Sequence, residues 1–184
     1  PYNLTGEVQV AYGTTLTIDP GVTVNGHNNI LKIFGKLSAI GTASSFIILN
    51  DIDIRTSSNT TPPNNELPET VIQYAKIIEG KLLKDFSGSI GGLLLRDSEL
   101  YNVNNKYGSG YLYLYYPQLE TIIERNIFHN SGTITVNVAA VSVYINNNVF
   151  YWTMETTNPQ TSMLEKTSAV VNKNNGTSTE TIVQ

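Results

Sequence analysis

Two kinds of side chain in this sequence could carry chemistry: carboxylates and tyrosines. Cleavage of a glycosidic bond uses two carboxyl groups roughly 5–9.5 Å apart. In the run FIILNDIDI, Asp51 and Asp53 alternate with Ile52 and Ile54. On an extended strand the two acids would share the solvent side, about 7 Å apart. Glu99 and Glu124 form a second candidate pair, with Asp97 and Glu79 near them and Arg96 and Arg125 as bases or clamps. None of these pairs has a signature spacing, and the wet side of a strand routinely carries such residues. Asp51 and Asp53 also offer the oxygen ligands that Ca²⁺ takes, without a recognised calcium loop. No other metal or cofactor is implied.

The tyrosines are more suggestive. In Tyr111-Leu112-Tyr113-Leu114-Tyr115, burial of the leucines turns Tyr111, Tyr113 and Tyr115 outward. An exposed tyrosine joins a flat apolar face to a polar tip, a combination suited to sugar rings and their hydroxyls. The same residues fit strands in general, or a surface covered by another subunit.

Several chemistries are excluded or left without support. With no cysteine there is no disulfide framework and no thiolate site. His27 and His129 are the only histidines, too far apart in sequence to suggest a His-rich metal site or a Ser-His-Asp triad. The net charge of −4, without a Lys/Arg cluster, argues against nucleic acid as a partner. No apolar run approaches the ~20 residues of a membrane-spanning helix. Asn3-Leu4-Thr5, Asn59-Thr60-Thr61 and Asn175-Gly176-Thr177 match the glycosylation sequon, as chance allows in a chain so rich in Asn and Thr.

What must position these residues is a set of short strands. Leu16 to Gly41 alternates apolar and polar residues in runs of two or three, each followed by turn chemistry such as Asp19-Pro20-Gly21. Period two excludes a helix, and arms this short do not make stable hairpins. Further on a repeat emerges. Ala75-Lys76-Ile77-Ile78-Glu79, Ser98-Glu99-Leu100-Tyr101-Asn102, Asn126-Ile127-Phe128-His129-Asn130 and Asn148-Val149-Phe150-Tyr151-Trp152 begin 23, 28 and 22 residues apart. An apolar strand precedes each. Such periods signal stacked repeats. The third position is always large and apolar and belongs inside. The fourth points outward, which places Tyr101, His129 and Tyr151 in one vertical stripe. The Asn at the first position reads as a structural residue, satisfying backbone groups at a bend and pairing with its neighbour one repeat away.

These units, an apolar strand followed by Asn-x-Phe-x-Asn, resemble the parallel β-helix repeat of the pectate-lyase-like superfamily. The stretches GTTLTIDPGVTV (Gly13 to Val24) and LKIFGKLSAIGT (Leu31 to Thr42) are similar to opening coils in secreted surface proteins and phage tail proteins. The resemblance covers about Gly13 to Thr153 and implies an all-β, right-handed, single-stranded parallel β-helix of about seven or eight coils. On this reading residues 1–12 lead in or end a preceding coil, 13–167 form the helix, and 168–184 are a last partial coil or a linker. The chain reads as a portion of something longer. The superfold hosts many activities. The expectation is a structural and receptor-binding module on a virion or cell surface, in a homotrimer or larger assembly. It would contact a surface glycan through its tyrosines and the Thr56–Thr70 loop without cleaving it. The alternatives are a polysaccharide lyase or glycoside hydrolase, and an inert stalk.

Overall fold

The computed structural model describes residues 1–56, 69–84, 92–103, 112–115, 120–131, 134–137, 142–153, 155–157, 164–166, 170–173 and 181–183. Among them there is no helix. All but two of the strands belong to two parallel sheets. The first is bent. Along one side it holds β1 (Tyr2–Asn3), the first part of β4 (Thr23–Ile33), the first part of β6 (Ile47–Thr56), β8 (Ala75–Ile78), β11 (Glu99–Tyr101), β14 (Ile127–Ser131) and β17 (Val149–Thr153). Along the other side run β2 (Val8–Val10), the second parts of β4 and β6, β9 (Lys81–Lys84), β12 (Leu112–Tyr115), β15 (Ile134–Asn137) and β20 (Val170–Lys173). The second sheet runs through β3 (Thr15–Ile18), β5 (Lys36–Ile40), β7 (Glu69–Gln73), β10 (Gly92–Arg96), β13 (Thr121–Glu124), β16 (Val143–Asn146) and β21 (Thr181–Val183). An antiparallel pair, β18 (Glu155–Thr157) with β19 (Leu164–Lys166), stands apart.

Parallel neighbours need a long connection to bring the chain back to the same end. Here the other strands supply that connection, so each strand pairs with one a full repeat away. The register joins Ile77, Leu100, Phe128 and Phe150 in one row, as the repeat alignment predicts. The first three are buried and Phe150 packs against the core from its edge. Phe128 and Phe150 stack with ring centroids 4.7 Å apart. A second interior row comes from the other sheet: Ala39, Ile72, Leu95, Ile123 and Ile145. Burying each Ile or Leu contributes about 1.5–3 kcal/mol, which makes this apolar interior the main stabilising term.

The corners depend on left-handed residues. Tyr74, Asp97, Arg125 and Asn147, with φ between 48° and 53°, turn the chain from the second sheet into the first. Asp51, Glu79 and Asn102 make the fold line between the two sides of the first sheet. A left-handed residue bends the chain sharply within one or two positions, which lets three short strands share one repeat.

The amide row at the first corner is the structural ladder expected from the sequence. Ser98 Oγ accepts from the Ala75 N–H at 3.1 Å, Asn126 Oδ1 from the Ser98 N–H at 3.1 Å, and Asn148 Oδ1 from the Asn126 N–H at 2.9 Å. Asn126 Nδ2 donates to the Leu95 carbonyl at 2.9 Å and Asn148 Nδ2 to the Ile123 carbonyl at 2.8 Å. Backbone groups that the turn would strand are thereby satisfied.

Candidate binding face

Strands β8, β11, β14 and β17 present their second and fourth repeat positions to solvent. The register Ile78–Tyr101–His129–Tyr151 places the predicted stripe in one row. Tyr101 and His129 stack at 4.4 Å between centroids with planes 1° apart; His129 and Tyr151 stack at 5.4 Å and 13°. The parallel row, Lys76–Glu99–Ile127–Val149, completes the surface. Glu99, Tyr101, Ile127, His129 and Tyr151 line a shallow trough of about 520 Å³. Its apolar end is open: Val149 is 46% and Tyr151 53% exposed.

Stacking changes what these rings offer. Tyr101 and His129 turn faces toward their neighbours in the row, so there solvent meets mainly edges, while Tyr151 ends the row and is the most exposed ring. Sequence reasoning expected ring faces for sugar stacking. The arrangement instead aligns polar edges beside the apolar side chains of Ile127 and Val149, two residues that tyrosine content alone does not point to. The signal was in the repeat alignment, whose second position carries them.

Electrostatics at the row's foot are settled by Glu99. It accepts a hydrogen bond from the Tyr101 hydroxyl and pairs with Lys76 Nζ at 3.5 Å. Lys76 also lies over the rings of Phe46, at 5.3 Å, and Tyr101, at 6.0 Å. The hydrogen bond to Glu99, then burial, then the carboxylate's charge push the Tyr101 phenol up to about 12 from 10.0. Because the folded value is the higher one, the contribution to stability is complete below about pH 10 and is lost as pH rises toward about 12. Ultraviolet titration, with Tyr101→Phe subtracted to isolate this phenol, should show Glu99→Gln returning its ionisation toward 10.0. An unchanged midpoint would contradict the assigned cause.

The other predicted residues fall elsewhere. Leu112 and Leu114 are buried and Tyr113 faces partly outward, as the alternation predicts. However, Tyr113 lies on β12 between Leu83 and Thr135, across the fold line from Tyr101. Tyr115 is placed by its backbone on the same strand, opposite Asn137. Tyr111 and most of the Thr56–Thr70 loop, 57–68, lie outside the described residues, as do the Asn59 and Asn175 sequons.

The carboxylates differ from expectation. Asp51 and Asp53 are not a solvent-facing pair on a straight strand. Asp51 occupies the left-handed bend of β6, φ 49°, while Asp53 is only 6% exposed. Its Oδ2 accepts from Arg55 Nη2 at 2.7 Å and Nε at 3.2 Å. Glu99 and Glu124 belong to different sheets, and Glu124 pairs with Arg125 at 2.8 Å. Asp97 joins a separate corner network. Arg125 holds both its oxygens, at 2.7 and 3.0 Å, and Gln73 donates to Oδ2 at 3.1 Å. The Arg125 hydrogen bond leads in lowering the Asp97 pKa, opposed by burial and assisted by the charges of Arg125 and Arg96 and by Gln73. Among the described residues no cluster of three His, Asp or Glu could hold a metal ion.

No family model matches the chain, and no solved structure matches it. Over 81 residues, 44% of its length, the chain is 36% identical to Protein bark beetle of Drosophila melanogaster. That stretch spans about 2% of the fly protein.

Proposed function

We propose that this chain is a right-handed, single-stranded parallel β-helix module of a longer extracellular surface protein, and that it binds a glycan without cleaving it. The observation carrying this reading is the in-register Tyr101–His129–Tyr151 row, a line of polar edges bordered by Ile127 and Val149. Hydroxyl-rich ligands need closely spaced donors and acceptors beside apolar surface for their C–H groups, and this strip offers both. The coil geometry is supported by two parallel sheets whose strands pair one repeat apart. Against catalysis stand the partners of the candidate acids. Glu99 holds Tyr101 and Lys76, Asp53 holds Arg55, and Glu124 holds Arg125.

A glycan array probed with the purified chain tests the reading. Retention without release of shortened sugars is expected. Tyr151→Ala should weaken it about tenfold or more, and Tyr113→Ala should leave it unchanged, since Tyr113 lies across the fold line. Cleavage would favour the lyase or hydrolase. The exposure of Val149 and Tyr151 favours a second reading, burial of this patch in a homotrimer. Trimeric sedimentation abolished by Tyr151→Ala, with no glycan retained, would establish that one.

A further inference from the structure

The row that ends in Tyr151 begins much earlier in the chain. Register joins Asn3 to Asn25, Asn25 to Asn50, and Asn50 to Ile78, beneath Tyr101, His129 and Tyr151. One outward line therefore carries three amides, one aliphatic side chain and three rings. We propose that this line is a continuous track for an uncharged, extended, β-linked polysaccharide lying along the stacking direction with one sugar per rung. The inference rests on the glycan-binding reading above and names its ligand class and pose.

Spacing is the first argument. Parallel strands repeat every ~4.8 Å, whereas a β-strand peptide advances ~3.3 Å per residue and a polyproline helix ~3.1 Å. A peptide laid across the rungs falls out of step within two of them. An extended β-linked pyranose chain advances close to one rung per sugar. Straightness is the second argument. Along the three aromatic rungs the ring planes differ by only 1° and 13°, so a linear ligand meets Tyr101, His129 and Tyr151 in nearly the same orientation.

Hydrogen-bond capacity is the third. Asn25 Nδ2 donates to Asn3 Oδ1 at 2.9 Å and Asn50 Nδ2 to Asn25 Oδ1 at 3.3 Å. An amide has two N–H groups and two acceptor lone pairs. Beyond these two bonds Asn25 has one further N–H and one further lone pair, enough to serve one hydroxyl as donor and another as acceptor. The ladder also locks the amides' orientation before ligand arrives, which lowers the entropy lost on binding. Charge is the fourth. No Asp, Glu, Lys or Arg occupies any of the seven positions of the line, and the charges beside it, Lys76 and Glu99, pair with each other at 3.5 Å, which suits a neutral polymer rather than a uronic-acid or sulfated one.

The test measures calorimetric affinity for β-1,4-linked glucose and β-1,4-linked N-acetylglucosamine oligomers from disaccharide to heptasaccharide. In at least one series, Kd should fall about fivefold per added sugar, the effect of roughly one net hydrogen bond per rung. Asn50→Ala, which interrupts the track, should reduce heptasaccharide affinity to that of the tetrasaccharide while tetrasaccharide affinity, held by the four rungs from Ile78 to Tyr151, stays unchanged. Asn25→Ser, read beside it with thermal melts of both, guards against a folding defect. Affinity independent of length, tighter binding of sulfated or uronic-acid oligomers, or no binding of either series would overturn the track. Any glycan retained on the array under those outcomes leaves the glycan-binding reading standing. An empty array removes both.

Discussion

Asn126→Ala is expected to destabilise the protein by about 3 kcal/mol, read as a fall in denaturation midpoint at unchanged slope. Asn126 is fully buried and works in both directions at once. Its Oδ1 accepts the Ser98 N–H, its Nδ2 donates to the Leu95 carbonyl, and the same Nδ2 lies 3.0 Å from Asn148 Oδ1. Alanine leaves the Ser98 N–H and the Leu95 carbonyl buried without partners, each costing about 1–3 kcal/mol. Asn126→Asp keeps the acceptor but loses the donor, and it places a charge where none is compensated. It should be at least as damaging. Ser98→Ala removes a hydroxyl that serves the Ala75 N–H and should cost less, about 1 kcal/mol. A loss below 1 kcal/mol for Asn126→Ala would show that the ladder is incidental to the corner.

Gly26→Ala should be more damaging still, above about 4 kcal/mol or enough to prevent folding. A Cβ on Gly26 would sit 2.3 Å from the Asp51 carbonyl oxygen and 2.5 Å from Ile52 Cα. Both are backbone, so no rotamer change relieves the overlap. Gly80, on the other side of Ile52, faces the same problem, 2.4 Å from its carbonyl oxygen. The bend in β6 is thus clamped between two glycines belonging to the repeats on either side of it. Gly6→Ala, where nothing lies within 4 Å, is the matched control and should change stability by less than about 1 kcal/mol. Circular dichroism melts of the two variants separate the two cases. Equal melting temperatures for Gly26→Ala and Gly6→Ala would contradict the close approach.

Both predictions bear on what the sequence could reveal. The Asn126–Asn148 ladder was legible because a bend that recurs each repeat recruits the same side chain, leaving a spaced Asn above a large apolar residue. Inward residues such as Leu100, Phe128, Leu112 and Leu114 were legible because a strand with one wet side must alternate. Corner geometry was not. Asp51 looks like one more outward residue of an alternating strand, yet its left-handed φ bends the strand, and Asp53 beyond it is buried and paired with a half-buried Arg55. Nothing local distinguishes the two cases, because the backbone at the bend packs against Gly26 and Gly80 from other repeats. The same kind of corner, at Asn102, separates the Tyr101 row from the Tyr113 row. The Asp97–Arg125 contact joins residues 28 apart and required the register itself.

The Tyr101–His129–Tyr151 stripe lies between these extremes. Its membership followed from the repeat, whereas its chemistry did not. Alignment put the three rings in one row, but only their separations of 4.4 and 5.4 Å show that faces are occupied and edges presented. The proposed glycan binding through edges would be hydroxyl recognition rather than stacking, with Tyr151 as the most exposed ring.

The most direct test is nuclear magnetic resonance of the imidazole protons during saccharide titration. The chain has two histidines, so the signals are assignable with one His27→Gln variant. His129 sits at the centre of the aromatic row, and His27 Nε2 lies 3.3 Å from Asn3 Oδ1 at the far end. On titration with a glycan retained on the array, the His129 resonances should shift and saturate at the calorimetric Kd. Saturable binding of that glycan with His129 unmoved would place the site elsewhere and contradict the account.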